Sequence, residues 1–378
     1  MTGIYDDLVS ILFKLPDGRS LEEYFKNVVL VGKFDDDELQ SGNDFPEGGV
    51  KKYSSYDEVT ADFLATSQVA IEANAMFNQK NNSQTTSQIK YLIVARQDSD
   101  ETLTQALDKA VAFDGRFAKV VPISRTAADL KEIAGWCNTN DRFCDMAVTN
   151  TADVADIISA KNNYVYAIFR KSATDPIASA VASTSTCGYF GAKEGSAQFT
   201  QLSGILPETY TGSEISDMRT KNIAFYTNVS PIEGGNTEGF GYNWIIGSRM
   251  LGGELRQREM IRHYIKKSMG LMALEFFNQK PIYDETGNNL LLSMAQKRFR
   301  SFQTYNLIVP TNNQETGYEL NVTPIRVGAN CIKNTDLAAY EQKKFKLTGY
   351  YIDAIVGEKV AFTFYVDPTD EQVEQILS

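Results

Sequence analysis

The 378-residue chain is 43% hydrophobic and 22% charged, with 26 Gly and 10 Pro, which excludes a disordered, collagen-like or disulfide-stapled protein. At roughly 100–200 residues per domain, two domains fit this length better than one or three. Thirty-seven Lys and Arg against 48 Asp and Glu give a net charge of −11, which repels polyanions from most of the surface and sets nonspecific nucleic-acid binding aside.

The chain opens with acidic residues ahead of a short apolar run, the wrong order for a secretory signal, and nowhere reaches the 18 or so consecutive apolar residues of a membrane span. Within that opening, Val9, Ile11, Phe13 and Leu15 alternate with Ser10, Leu12 and Lys14, a strand pattern stopped by Pro16-Asp17-Gly18. A strand of about seven residues spans about 23 Å and leaves its backbone groups unpaired, so it has to find a sheet edge in its own chain or in a neighbour.

From residue 27 to about residue 230, short β-branched or aromatic runs alternate with helix-period segments, the order of an α/β sheet covered by helices. Strands are predicted at Val28-Val29-Leu30-Val31, Tyr91-Leu92-Ile93-Val94, Ala118-Lys119-Val120-Val121, Met146-Ala147-Val148, 164–168 and Ile223-Ala224-Phe225-Tyr226. Most are nearly all apolar, as strands buried on both faces are. Between them, Ser55-Tyr56-Asp57-Glu58 starts a helix whose stripe runs through Val59, Phe63, Ala70, Ala73 and Phe77, and further helices are expected over 102–113, 126–136 and 152–159. The acidic run Asp35-Asp36-Asp37-Glu38 and the polar stretch 78–87 read as surface loops.

A glycine-rich loop, 233–241, marks the expected domain boundary. Beyond it, a helix over about 254–278 sets Ile261, Ile265, Met269, Met272 and Phe276 on one face and Arg258, Arg262 and Lys266 on another. A second helix, about 288–305, places Lys297, Arg298 and Arg300 beside a core face of Leu291, Ala295, Phe299 and Phe302. Residues 241–305 hold ten Lys/Arg against five Asp/Glu, a net +5 that leaves −16 on the remainder. Such segregation offers one positive face to an acidic partner. The chain closes on a second alternating run, Val360, Phe362, Phe364 and Val366, ended by Asp367-Pro368; an in-chain hairpin with 350–356 is the competing reading to donation into a neighbouring sheet.

Enzyme motifs fail. The glycine loop lacks both the GK[ST] of a P-loop and the third glycine of GxGxxG. Cys137, Cys144, Cys187 and Cys331 form no CxxC pair, which leaves structural zinc without its ligand set, and a nucleophilic thiol has only one histidine, His263, to call on, itself read as a surface or packing residue in a basic helix. The thiols are expected to be buried and free, as in a reducing cytoplasm. A doubly-wound α/β enzyme stays open as one reading from the alternation of elements alone, and a structural protein that exchanges strands in a static assembly as another.

The order of segments resembles a contractile-tail sheath protein of myovirus-type phages and related phage-tail-like particles. The resemblance runs over most of the chain: the first strand; Tyr24-Phe25-Lys26-Asn27-Val28-Val29-Leu30-Val31-Gly32; the helix opened at 53–63 and ended by Ala75-Met76-Phe77; Ile133-Ala134-Gly135-Trp136; the small-residue run Ala178-Ser179-Ala180-Val181-Ala182; Leu202-Ser203-Gly204-Ile205-Leu206-Pro207-Glu208; and Lys280-Pro281-Ile282-Tyr283-Asp284-Glu285-Thr286-Gly287 between the two long helices. It implies an outer α/β sandwich-like domain (19–240), an inner α+β domain facing a tail tube (241–357) and terminal strand arms (1–18 and 358–378) exchanged between subunits. It also implies stacked six-fold rings around the tube, contact with baseplate and tail terminator proteins, and contraction that drives the tube through a bacterial envelope. It implies no cofactor, no metal, no catalysis, no direct nucleic-acid contact and no membrane insertion, with assembly in the host cytoplasm. In that setting Arg258, Arg262, Lys266, Lys297, Arg298 and Arg300 are the expected tube-facing set, and hinges are expected at Pro16, Gly18 and Gly357, where backbone torsion is preset or least restricted.

Overall fold

The structure, a computed structural model, describes residues 21–79, 89–157, 163–184, 197–229, 242–282, 285–305, 307–308, 318–322, 345–352 and 359–366. They fall into two compact units, divided between Met260 and Ile261.

The first unit begins with α1 (Leu21–Lys26), β1 (Asn27–Gly32), β2 (Val50–Tyr53), α2 (Tyr56–Asp62), α3 (Gln68–Phe77) and β3 (Tyr91–Arg96). It continues through α4 (Leu103–Asp114), β4 (Lys119–Pro122), α5 (Ala127–Thr139), β5 (Phe143–Val148), α6 (Val154–Ile157), β6 (Val165–Phe169) and α7 (Ile177–Thr184). It then adds α8 (Gly212–Thr220), β7 (Ala224–Val229), β8 (Tyr242–Ile246) and the first turn of α9 (Arg256–Asn278). Eight strands form one sheet in the order β2-β3-β1-β4-β5-β6-β7-β8. The six inner strands are parallel, and β2 and β8 run antiparallel at the two ends.

Every residue of β1, β4, β5 and β6 is buried, because α4 and α5 cover one face and α7 the other. Helix starts are set by hydroxyls that accept a hydrogen bond from the first turn: Ser55 from Glu58 N, Ser67 from Ala70 N, Thr102 from Gln105 N, Thr126 from Asp129 N and Thr211 from Glu214 N. The single helix expected from Ser55 to Phe77 is two. Phe63 leaves the helical region at φ −111° and ψ 146°, bridges Leu39 and sets its ring 5.1 Å from that of Phe34, and Ser67 then restarts the chain as α3. One side chain joining a separate aromatic cluster outweighs continuity of the stripe.

The expected boundary after residue 240 does not divide the fold. β8 lies beyond it yet completes the large sheet, pairing with β7 over Phe225↔Ile246 to Val229↔Tyr242, which satisfies the backbone of a strand that would otherwise be the edge.

The second unit holds the rest of α9, α10 (Glu285–Thr304) and an antiparallel sheet of β9 (Tyr318–Val322), β10 (Phe345–Ile352) and β11 (Lys359–Val366), in the order β11-β10-β9. α10 packs on β9 and β10; Phe299 stands 5.2 Å from Phe302 and 4.9 Å from Tyr318.

Candidate assembly surface

β11 contains Val360, Phe362, Phe364 and Val366, the run expected to be donated to a neighbour. It pairs instead with its own chain, opposite Tyr351, Gly349, Leu347 and Phe345 of β10. Only six residues, 353–358, join the two strands, so closing this ladder costs little chain entropy while pairing eight residues. β11 is the outer strand of its sheet among the described residues, which leaves one side of it open. Val9, Ile11, Phe13 and Leu15, and the expected hinges at Pro16, Gly18 and Gly357, lie outside the described residues.

The expected basic face divides. Arg258 is buried and holds Glu254 one turn earlier, Nη1 to carboxylate at 2.9 Å, so it is not the exposed tube-facing cation that periodicity suggested. The reason is local: Arg256, Arg258, Glu259, Met260 and Ile261 are all buried, and the start of α9 has no solvated face to offer. Arg262 and Lys266 are half-buried. Arg298 is half-buried and ties α10 to α9 through Glu275, at 2.6 Å. Lys297 and Arg300, spaced three apart on α10, are exposed.

Arg256 is a position that periodicity missed. It is the first residue of α9, and its guanidinium meets the carboxylate of Asp145 in the middle of β5 with both side chains buried. The Tyr166 ring, from the neighbouring strand, lies 4.9 Å under the same guanidinium. The partners stand 111 positions apart in the sequence, so no local spacing announces the pair.

A doubly-wound enzyme holds its ligand at the carboxyl ends of the strands where the strand order reverses, here between β1 and β4. At this point the two strands end in close contact. Ile123, just after β4, presses on Gly32, the last residue of β1, so closely that a Cβ on Gly32 would lie 2.7 Å from the Ile123 Cβ. Two residues on, Arg125 pairs with buried Glu72 at 3.3 Å and donates to the Asp175 carbonyl at 2.6 Å. Burial pushes the Glu72 carboxyl up, against the pull of Arg125. Among the described residues, no group of three or more His, Cys, Asp or Glu is placed to hold a metal ion. Cys137 and Cys144 are free and buried, and burial pushes the Cys144 thiol well up, which suppresses the thiolate.

No protein-family model matches the sequence, and no curated protein matches it significantly. Solved structures do. The helical sheath of the anti-feeding prophage in its contracted state superposes with a TM-score of 0.58 at 10% identity, covering 91% of this chain and 89% of that one. The sheath tail protein of Desulfitobacterium hafniense gives 0.57 at 10% identity, over 95% of this chain and 100% of that one. That of Listeria innocua gives 0.57 at 10%, over 92% and 98%.

This chain has the fold of the contractile sheath proteins. The sheath fold accounts for both units, since the matches span more than nine-tenths of the chain. At 10% identity, roles cannot be carried across residue by residue, so the strand and cation positions stand on the geometry above.

Proposed function

We propose that the chain is the repeating subunit of a contractile tail sheath in a phage or phage-tail-like particle. The observation that carries this is the full-length agreement of fold with three sheath proteins, at nine-tenths coverage or more on this side. The subunit polymerises helically as stacked rings around a tail tube, in contact with the baseplate at one end and a terminator at the other, and its shortening drives the tube through an envelope.

Two features of the chain support the reading. Exposed Lys297 and Arg300 on α10 give a weak, reversible contact for an acidic tube, because solvated charge pairs are each worth about 0–1 kcal/mol. The side of β11 that carries no partner strand among the described residues is an acceptor for an extended segment such as residues 9–15 of a neighbour, which would add main-chain hydrogen bonds in register. In this arrangement the C-terminal hairpin receives a strand, and the N-terminal run supplies one. The close approach of Ile123 to Gly32 at the strand switch point narrows the space in which a doubly-wound enzyme holds its ligand, which weighs against the enzyme reading.

Negative-stain microscopy of the expressed protein tests the proposal. Hollow striated tubes or stacked rings are expected, and removal of residues 1–17 is expected to leave folded, unpolymerised subunits. A monodisperse monomer at every concentration, or one that binds a nucleotide or metabolite, would overturn it.

A further inference from the structure

The β8 end of the large sheet carries a cavity of about 310 Å³, lined by Arg219, Asn222, Ile223, Phe225, Ile246 and Arg249 among others. It combines apolar side chains with two exposed guanidinium groups. Seven other arginines hold carboxylates, namely Arg96, Arg116, Arg125, Arg170, Arg256, Arg258 and Arg298, whereas exposed Arg300, like the cavity pair, holds none among the described residues. Arg219 and Arg249 meet none among the described residues, although Arg249 Nη1 donates to the Gly253 carbonyl at 2.5 Å. Two unneutralised guanidinium groups at one cavity attract a carboxylate-bearing ligand.

The complementary charge lies at the other end of the same sheet. Residues 35–62, which include β2, carry nine Asp and Glu against two Lys, a net −7. Asp36 is taken by Arg96 at 2.6 Å, while Asp35 and Asp37 are exposed and hold no cation among the described residues. The acidic turn follows the carboxyl end of β1 and sits beside the carboxyl end of β3, at Arg96. The cavity residues Asn222 and Ile223 precede the amino end of β7, which runs parallel to β6 and so to β1 and β3. The two charged features therefore occupy diagonally opposite corners of one sheet. Because the two features lie at opposite corners, a single contact between them leaves the other corner of each copy free to repeat it; copies joined head to tail in this way propagate as a helix when the rotation between them does not close a ring.

We propose that the Arg219–Arg249 cavity receives the acidic turn of a second copy, with the Asp35 and Asp37 carboxylates on the two guanidinium groups. The inference rests on the sheath reading for the many copies that meet, and it adds the surface by which they meet, separate from any exchanged strand.

A charge swap tests it. Arg219→Glu with Arg249→Glu places acid against acid, and Asp35→Lys with Asp37→Lys places base against base. Each variant alone is expected to raise the concentration needed for polymerisation at least about tenfold, with an unchanged subunit melting curve. An equimolar mixture of the two variants restores opposite charges at every contact and is expected to recover tubes of alternating subunits. Polymerisation of either variant at the wild-type concentration, or no recovery in the mixture, would overturn the inference. If the wild type forms no tubes, the sheath reading fails by itself, and the inference is then decided by sedimentation of the mixed variants: a salt-sensitive heterodimer sustains it, and two independent monomers overturn it.

Discussion

Arg256 Nη2 reaches both carboxylate oxygens of Asp145, at 2.8 and 3.0 Å, and so fastens the first residue of a 23-residue helix to the middle of a fully buried strand. Both side chains are 1% exposed. Removing one partner strands a buried charge, so Arg256→Ala or Asp145→Ala is expected to cost about 3–5 kcal/mol, read as a fall in the urea midpoint. Replacing both together, with Asp145→Ala and Arg256→Met, is expected to cost less than either alone, which a double-mutant cycle resolves.

The cations of α10 behave differently. Lys297→Glu with Arg300→Glu is expected to change subunit stability by less than about 0.5 kcal/mol, because both side chains are solvated. The same variant is expected to lose co-sedimentation with the tail tube, and the wild-type contact to weaken as salt rises. A variant that still attaches normally would remove these residues from the proposed tube face.

Acid sensitivity should centre on Asp114. Burial pushes its carboxyl up, but the hydrogen bonds from Arg116 and Lys52 outweigh burial and bring it down to about 2. Arg116 Nε lies 2.8 Å from one oxygen and Lys52 Nζ 2.8 Å from the other. A depressed carboxylate contributes stability that is fully present above its unfolded pKa and lost as pH falls through the folded value, here about 2 kcal/mol that disappears between about pH 4 and pH 2. Asp114→Asn is expected to flatten that part of the stability profile, measured by denaturant unfolding at about pH 6 and about pH 2.5.

Gly247 is expected to tolerate no side chain. Its φ is +119°, and an added Cβ would stand 2.9 Å from the Ala224 Cα of β7. Gly247→Ala therefore combines backbone strain of about 1–3 kcal/mol with a backbone clash. A lowered melting temperature of the large-sheet unit is the expected result, and an unchanged one would mean that the β7–β8 end can spread.

Much of the large sheet was legible because its signals are local. The all-apolar runs at β1, β3 and β6 and the hydroxyl caps at Ser55, Thr102 and Thr126 each lie within a few consecutive residues. β2 was not, since Lys51 and Lys52 sit in its middle and are drawn instead to Asp62 and Asp114. α7 was named only as a small-residue run: all eight of its residues are buried, so it has no polar face to generate a helical period. Periodicity found the cations of the two long helices but could not distinguish a solvated position from a buried one. Lys297 and Arg300 are exposed; Arg258, at equally regular spacing, is enclosed with Glu254. The pairing of Asp145 with Arg256, and the diagonal placement of Asp35 and Arg219, depend on strand order, which no short window of sequence contains.

The five hydroxyl-capped helix starts have a bearing on manufacture. Each is a punctuation mark read within four residues, so the large-sheet unit carries much of its internal grammar in its own local sequence. In the proposed sheath, a part needed in many copies benefits from that autonomy: misreading within a chain is discouraged, and what remains to be decided among finished chains is the order in which they queue.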